Sequence, residues 1–258
     1  MGILTNKKTR ALIIIMIALV ISGILIAKIY YGSENNSVDP RVVPARELYA
    51  KYDEYAREGD YHKIFSLLDS VEMIYSSYSH YKNSFEMGVL HNNRAAALIT
   101  IALYSDSIDA GFNPFYGSHP DTVMKLAGSE LDRAIDIYDE WLEDYSDKSE
   151  EGISEIIDTE FRKDLDADEA QLIEKYRDAR SREIVMAVKE TGRRLSVCYT
   201  NLGVIKRYNE EYEEAVRCYQ KALELWDRNL SAENNLNALL GRPLKKRNFI
   251  QKMFPPER

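Results

Sequence analysis

The stretch NLGVIKRYNEEYEEAVRCYQKALEL, residues 201–225, constrains the fold of this chain more than any other part. It contains two runs with helical spacing, separated by a break at Asn209. Small residues on both runs allow two antiparallel helices to approach closely, and tyrosines fill the space left between them. These small and aromatic positions are Tyr199, Gly203, Ala215, Tyr219 and Ala222. The stretch therefore predicts a tightly packed helical pair.

The same positions resemble the tetratricopeptide repeat, a helix–turn–helix unit of about 34 residues. The resemblance extends over Ser196 to Asn229, with two departures: Lys206 stands where an aromatic residue is usual, and Asp227 replaces the terminal Pro. The resemblance implies an all-α fold, an α-solenoid of stacked helix pairs, and in architecture it suggests a membrane-anchored bacterial tetratricopeptide repeat protein. It also implies a concave surface that binds other proteins.

Two weaker matches occur upstream of this repeat. Residues 59–71 fit the turn and second helix of a first repeat, and Ala134, Tyr138 and Trp141 fit the second helix of another. The first helix of that second repeat is aligned by placing Asn93 and Ala95 opposite Asn201 and Gly203. The loop from Asp109 to Pro120 then becomes an insertion. About three repeats are predicted, which is near the minimum for a stable stack, with a capping helix after Ser231.

The rest of the chain also has helical spacing, and no segment alternates in the way a strand does. Gly59 is expected to end one helix in a left-handed conformation, and Asp60 to cap the next. A very long helix is predicted from Asp164 to Tyr208, with Gly192 costing about 1 kcal/mol relative to Ala. The preceding segment SDKSEEG is expected to be a charged connector.

The overall composition and charge of the chain argue against some classes of function. A net charge of −8 argues against general binding of nucleic acid, which needs a basic face. The charge is uneven, since residues 130–178 are strongly acidic and residues 242–258 are basic. Cys198 and Cys218 are the only two cysteines, and both fall in predicted helices. They do not indicate whether the chain lies in an oxidising compartment or whether the two form a disulfide.

The amino-terminal segment ALIIIMIALVISGILIA, residues 11–27, has no charge and approaches the length needed to cross a bilayer. An uncleaved single-span anchor over residues 11–31 is favoured over a cleaved signal peptide, because the run is long and no good cleavage site follows. Lys7, Lys8 and Arg10 precede it and place the N-terminus in the cytoplasm. The predicted localisation is the cytoplasmic (inner) membrane, single-pass, with a periplasmic C-terminal domain.

The predicted organisation has five segments. They are a cytoplasmic N-terminus (1–10), a transmembrane anchor (11–31), a linker (32–44), a tetratricopeptide-like helical domain (45–241) and a basic tail (242–258).

Motifs for chemistry are not found in the sequence. The four histidines are scattered and have no cysteine partner at metal-ligand spacing. The segment DLDADE, residues 164–169, begins like a calcium loop but has Glu169 where glycine is needed. We therefore expect no enzyme activity, no catalytic residue, no cofactor and no metal site.

The first hypothesis for function is a membrane-tethered adaptor or scaffold that mediates protein–protein interaction at the outer face of the cytoplasmic membrane. The resemblance implies that the first helix of each pair lines the binding groove. The corresponding positions are Val197, Thr200, Val204 and Arg207 in the clear repeat, and Val89, Asn92, Ala96 and Ile99 in the preceding one. Their side chains suit an apolar or amphipathic segment of a partner.

Two alternatives stay open. The helical domain could bind a small molecule or a lipid beneath the aromatic loop that holds Phe112, Phe115 and Tyr116, as a component associated with a transporter. The chain could also form a homo-oligomer through its acidic face and the basic tail of a neighbour, and such a contact would weaken at high salt.

Overall fold

The computed structural model describes residues 38–163, 165 and 170–247. The helices in these residues are α1 Val43–Tyr49, α2 Tyr52–Glu58, α3 Tyr61–Ser76, α4 Phe85–Tyr104, α5 Pro120–Tyr145, α6 Glu150–Arg162, α7 Ala170–Tyr208, α8 Tyr212–Leu225 and α9 Leu230–Leu239. A short 3₁₀ turn, Ser105–Ser107, follows α4. The described part of the chain has no strand, so the prediction of an all-α fold is confirmed there.

The predicted localisation must be corrected. Among the described residues no helix is long and apolar enough to cross a bilayer, which counts against a single-pass protein of the cytoplasmic membrane with a periplasmic domain. Residues 11–31, on which that prediction rested, lie outside the described residues, as do residues 1–10 and residues 32–37 of the predicted linker.

The helices stack as successive antiparallel pairs. In chain order, α1 and α2 pack on α3, α3 on α4, α4 on α5, α5 on α7, and α7 on α8. One buried cluster joins α4, α5 and the C-terminal part of α7, and a second joins α1, α3 and α4. The inner helices α3, α4, α5 and α7 are each held by two or more neighbours, as the stacking of helical repeats requires.

The first pair follows the predicted capping. Gly59 has a φ of 68°, the left-handed conformation that ends α2, and the Asp60 side chain accepts a hydrogen bond from the Lys63 amide at 3.1 Å to begin α3. Buried side chains on α3 include the predicted Ile64, Leu68 and Val71. The break at Ala50 and Lys51, which divides the first helix into α1 and α2, was not predicted.

The second pair, α4 and α5, corrects the predicted alignment. A Cβ atom added to Gly88 would lie 2.7 Å from the Tyr138 ring, and one added to Gly203 would lie 2.5 Å from the Tyr219 ring. Gly88 therefore takes the place that was assigned to Ala95. The predicted alignment is displaced by seven residues, or nearly two helical turns. Gly88 and Ala95 therefore lie on almost the same face of α4.

A helix that was not predicted, α6, packs against the N-terminal half of α7. Its buried Ile157 and Phe161 form a cluster with Ile184 of α7 and Trp141 of α5. The Ser149 hydroxyl caps α6 by accepting a hydrogen bond from the Gly152 amide at 3.2 Å. The segment predicted as a connector thus continues into an amphipathic helix. The long helix is confirmed over α7, while residues 164 and 166–169 lie outside the described residues.

Helix α9 packs against α8 and the neighbouring part of α7, as predicted for a capping helix. Asn229 caps the N-terminus of α9, since its side-chain oxygen accepts a hydrogen bond from the Ala232 amide at 3.0 Å. The Asn229 amide nitrogen donates to Ser196 Oγ at 2.8 Å and to Thr200 Oγ1 at 2.9 Å. One buried side chain therefore starts α9 and fixes it to α7.

The described end of the predicted linker is packed into the domain. Arg41 and Asp39 form a buried ion pair of 2.6 Å, and Tyr81 Oη donates to Asp39 Oδ2 at 3.0 Å. Arg41 also donates to the carbonyl of Phe161 at 3.0 Å, at the end of α6. These contacts tie α6 to the first helical pair.

Candidate binding cleft

A cleft of about 750 Å³ lies between α1, α3, α4 and α7. Three of these helices, α1, α4 and α7, are the first members of successive pairs, which is the class of helix that lines the concave face of a repeat stack. The apolar part of the lining comes mainly from Val71, Tyr75, Phe85, Val89, Leu90 and Met186. Met186 is 61% exposed, so this apolar side chain is open to solvent at the cleft.

The length of α7 creates one wall of the cleft. Its C-terminal part, beside α8, belongs to the third helical pair, and its N-terminal part continues for several turns beyond α8. The residues that α7 contributes to the lining lie between Ala179 and Arg194. Helix α6 holds this extension in place through Ile184, which is fully buried.

Two ion pairs hold α7 to the other walls. Arg46 of α1 lies 2.7 Å from Glu183, and Glu86 of α4 lies 2.6 Å from Arg180. The Arg180 guanidinium also lies over the Tyr81 ring, 4.6 Å from its centroid. Burial would raise the pKa of Glu86, but the charge of Arg180 and its hydrogen bond lower it to about 2, so this carboxylate is ionised at neutral pH.

The cleft has features of a binding surface and few of a reaction centre. The ring nitrogen Nε2 of His80 accepts a hydrogen bond from Nε of Arg180, the residue that pairs with Glu86, at 3.1 Å. Burial and the Arg180 charge lower the pKa of His80 to about 3, so it is neutral and its ring nitrogen is engaged. Within the ranges that the structure describes, no group of three or more His, Cys, Asp or Glu side chains is placed to hold a metal ion.

The third helical pair provides the evidence on family. Gly203 of α7 packs directly under the Tyr219 ring of α8, and Ala215 and Ala222 are fully buried beside it. Residues 196–229 match the family model of the tetratricopeptide repeat. Tetratricopeptide repeats are in general protein-binding modules rather than enzymes, so the match suggests an adaptor in protein–protein interaction. No curated protein and no solved structure matches the chain.

The four groove positions predicted in the tetratricopeptide repeat share one stripe of α7 but differ in burial. Thr200 is buried, donates to the Ser196 carbonyl at 2.8 Å and accepts from Asn229, so α9 covers it. Val197 and Val204 are half-buried, and Val204 packs against the core. Arg207 is exposed. None of the four lines the cleft described above. Partner binding at these positions stays a prediction.

Of the four positions predicted on α4, Val89 lines the cleft. Asn92 is buried, and its side-chain oxygen accepts from Asn201 Nδ2 at 3.1 Å, which joins α4 to α7. Ala96 is half-buried, and Ile99 belongs to the core. The corrected alignment pairs Val89 with Val204 and Asn92 with Arg207.

Met186 and its neighbours on α7 were missed, although the sequence contains a signal for them. Ile184 packs against α6, whereas Met186 faces the cleft. Residues two apart on a helix point roughly 200° apart, so this segment has apolar side chains on two opposite faces. A helix of this kind has two partners or an open apolar surface.

The aromatic loop is held against its own domain. The Tyr61 amide donates to the carbonyl of Phe112 at 3.0 Å, and the Phe115 ring packs edge-on against Phe65 with 5.5 Å between centroids. Tyr116 is 70% exposed. None of these three loop aromatics lines the cleft, so the alternative site predicted under the loop and the cleft are separate places.

Proposed function

We propose that this chain is a protein–protein interaction adaptor that holds a segment of a partner protein in the cleft between α1, α3, α4 and α7. The observation that carries the proposal is a cleft walled mainly by the first helices of the pairs, in whose lining the apolar side chain of Met186 is 61% exposed. The tetratricopeptide repeat match supports it, because stacks of such repeats bind extended or helical segments on this face. Of the eight positions predicted from the sequence, Val89 belongs to the proposed site.

The contribution of Met186 to partner binding sets the size of the expected effect. Burying a methionine side chain contributes about 1.5–3 kcal/mol, and a lysine at the same place would bring an unpaired charge into the contact. Loss of half of this contribution weakens binding about 4- to 12-fold, and loss of all of it weakens binding about 12- to 150-fold.

Met73 on α3 offers a matched control, since it is 67% exposed and does not line the cleft. The tagged wild-type chain, Met186→Lys and Met73→Lys would each be used to isolate partners from the cells in which the chain occurs, with quantitative mass spectrometry. We expect Met73→Lys to recover the same partner as the wild type and Met186→Lys to recover at least tenfold less. Equal recovery by both variants, with unchanged circular dichroism, contradicts the proposal.

A small apolar molecule is a second candidate for the occupant. The cleft volume falls within the range of about 300–1,000 Å³ that is usual for small-molecule sites. Native mass spectrometry of the purified chain separates the two candidates, since a bound small mass that Met186→Lys removes would favour the small molecule.

A further inference from the structure

One arginine in the cleft differs from its other charged residues. Arg46, Arg182, Glu86, Glu183 and Glu190 each have an opposite charge on the chain: Glu183, Glu150, Arg180, Arg46 and Arg193 respectively. Arg194 also lines the cleft, but it forms no ion pair with any carboxylate in the described part of the chain. The cleft therefore presents one cation whose charge is not balanced nearby.

The surroundings of Arg194 make this lack of a partner costly. Its Nε atom is buried and has no hydrogen-bond partner in the described residues, and neither has the hydroxyl of Tyr138 nearby. Burial raises the pKa of the Tyr49 hydroxyl and the pKa of the Cys198 thiol, and the charge of Arg194 opposes both shifts. The guanidinium thus lies among groups withdrawn from water, where an opposite charge would be worth more than at the surface.

The polar groups of the lining also bear on the conformation of an occupant. The carboxylates that line the cleft are engaged in ion pairs, and the Tyr49 hydroxyl accepts a hydrogen bond from Asn93 at 2.6 Å. An extended peptide would find few free donors and acceptors here for its backbone. A helix satisfies its own backbone and presents side chains at i, i+3 or i+4 and i+7 to an apolar groove.

We propose that the cleft takes an amphipathic helical segment of a partner protein, and that an acidic side chain of this segment pairs with Arg194. This inference rests on the proposed function and specifies the chemistry of the partner. The apolar face of the segment packs against Met186 and the half-buried Phe85. The carboxylate of its acidic residue accepts hydrogen bonds from the Arg194 guanidinium, in the planar geometry that suits arginine.

The probe for the test is a peptide selected from a display library of helix-favouring 16-residue sequences, with the wild-type chain as bait. The selected peptides are expected to share apolar residues at helical spacing and one Asp or Glu. Binding of one such peptide is then measured to the wild type, Arg194→Gln and Arg133→Gln. Arg133 is the matched control, because it is an exposed arginine on α5 that does not line the cleft and is not one of the predicted groove positions.

Arg194→Gln is expected to weaken binding at least tenfold, and Arg133→Gln less than twofold. Replacing the acidic residue of the peptide by its amide should cause the same loss on the wild type and little further loss on Arg194→Gln. Additive losses, or selected peptides without an acidic residue, overturn the inference. If Arg194→Gln proves unstable in thermal unfolding, Arg194→Lys is measured in its place. It keeps the positive charge but loses the planar guanidinium, and is expected to retain part of the affinity.

Met186→Lys distinguishes this inference from the proposed function. If binding of the selected peptides depends on Met186 but not on Arg194, the proposed adaptor function stands and only the pairing with an acidic residue is refuted. A library that yields no binder, or binders indifferent to Met186→Lys, would contradict both.

Discussion

Replacement of Gly203 by alanine tests whether the close approach of α7 and α8 holds the tetratricopeptide repeat together. The added Cβ would lie 2.5 Å from Tyr219 Cε1 and 2.8 Å from Cδ1. Tyr219 is fully buried, so its ring has no solvent into which it could move. Relief requires the two helices to separate, and such overpacking costs about 1–3 kcal/mol.

A second effect acts in the opposite direction. Alanine favours the interior of a helix over glycine by about 1 kcal/mol, and this gain offsets part of the overpacking. The expected net change is a loss of up to about 2 kcal/mol in the free energy of unfolding. For a chain of this size, that corresponds to a decrease of up to roughly 8 °C in Tm.

Gly128 in α5 provides the matched control. It also lies inside a helix, and a Cβ atom added there meets nothing within 4 Å. Gly128→Ala should therefore stabilise the protein by about 0.5–1 kcal/mol. Urea unfolding followed by circular dichroism measures both variants, with the midpoint compared at unchanged slope. If Gly203→Ala proved as stable as Gly128→Ala, the reasoning would be refuted.

Two further predictions concern fixed polar contacts. Because the pKa of Glu86 falls from 4.5 to about 2 on folding, the stability it contributes is present above pH 4.5 and is lost as the pH falls towards 2. Glu86→Gln should be less stable than the wild type at pH 7, with a smaller difference at pH 2–3, as unfolding at several pH values would show; an equal difference at every pH contradicts this. Asn229→Ala should cost about 1–3 kcal/mol, because it removes the cap of α9 and the amide group that donates to the hydroxyl oxygens of Ser196 and Thr200. Asn234→Ala, on the exposed contact between α9 and the Lys245 backbone, is its control and should change stability by less than about 0.5 kcal/mol in the same urea titration.

The capping residues and the third helical pair were predictable because their signals are local. Gly59 and Asp60 act through their own backbone and the next turn. Gly203, Ala215 and Tyr219 show the whole spacing of a tetratricopeptide repeat within 34 residues, 196–229. Because these interactions join residues that are close along the chain, all the residues that form them can be recognised within one segment of the sequence.

The alignment of the second pair was not predictable in the same way. A shift of seven residues turns a helix by two turns less about 20°, so the apolar pattern around Asn93 fits either alignment almost equally. The insertion between α4 and α5 separates Gly88 from Tyr138, and only their contact in the folded chain distinguishes Gly88 from Ala95.

The sequence by itself determined that this part of the chain is helical and that one tetratricopeptide repeat lies at residues 196–229, because periodicity, capping and small-residue spacing are properties of single segments. The tertiary structure alone decided where the open surface lies. The cleft arises because α7 extends past α8, is held by α6, and comes to face α1 and α4. Which of the two apolar faces of such a helix becomes buried depends on partners that are distant along the chain. For the same reason Arg194 differs from Arg46 and Arg182, the other arginines that line the cleft, because the described fold places no carboxylate in an ion pair with it.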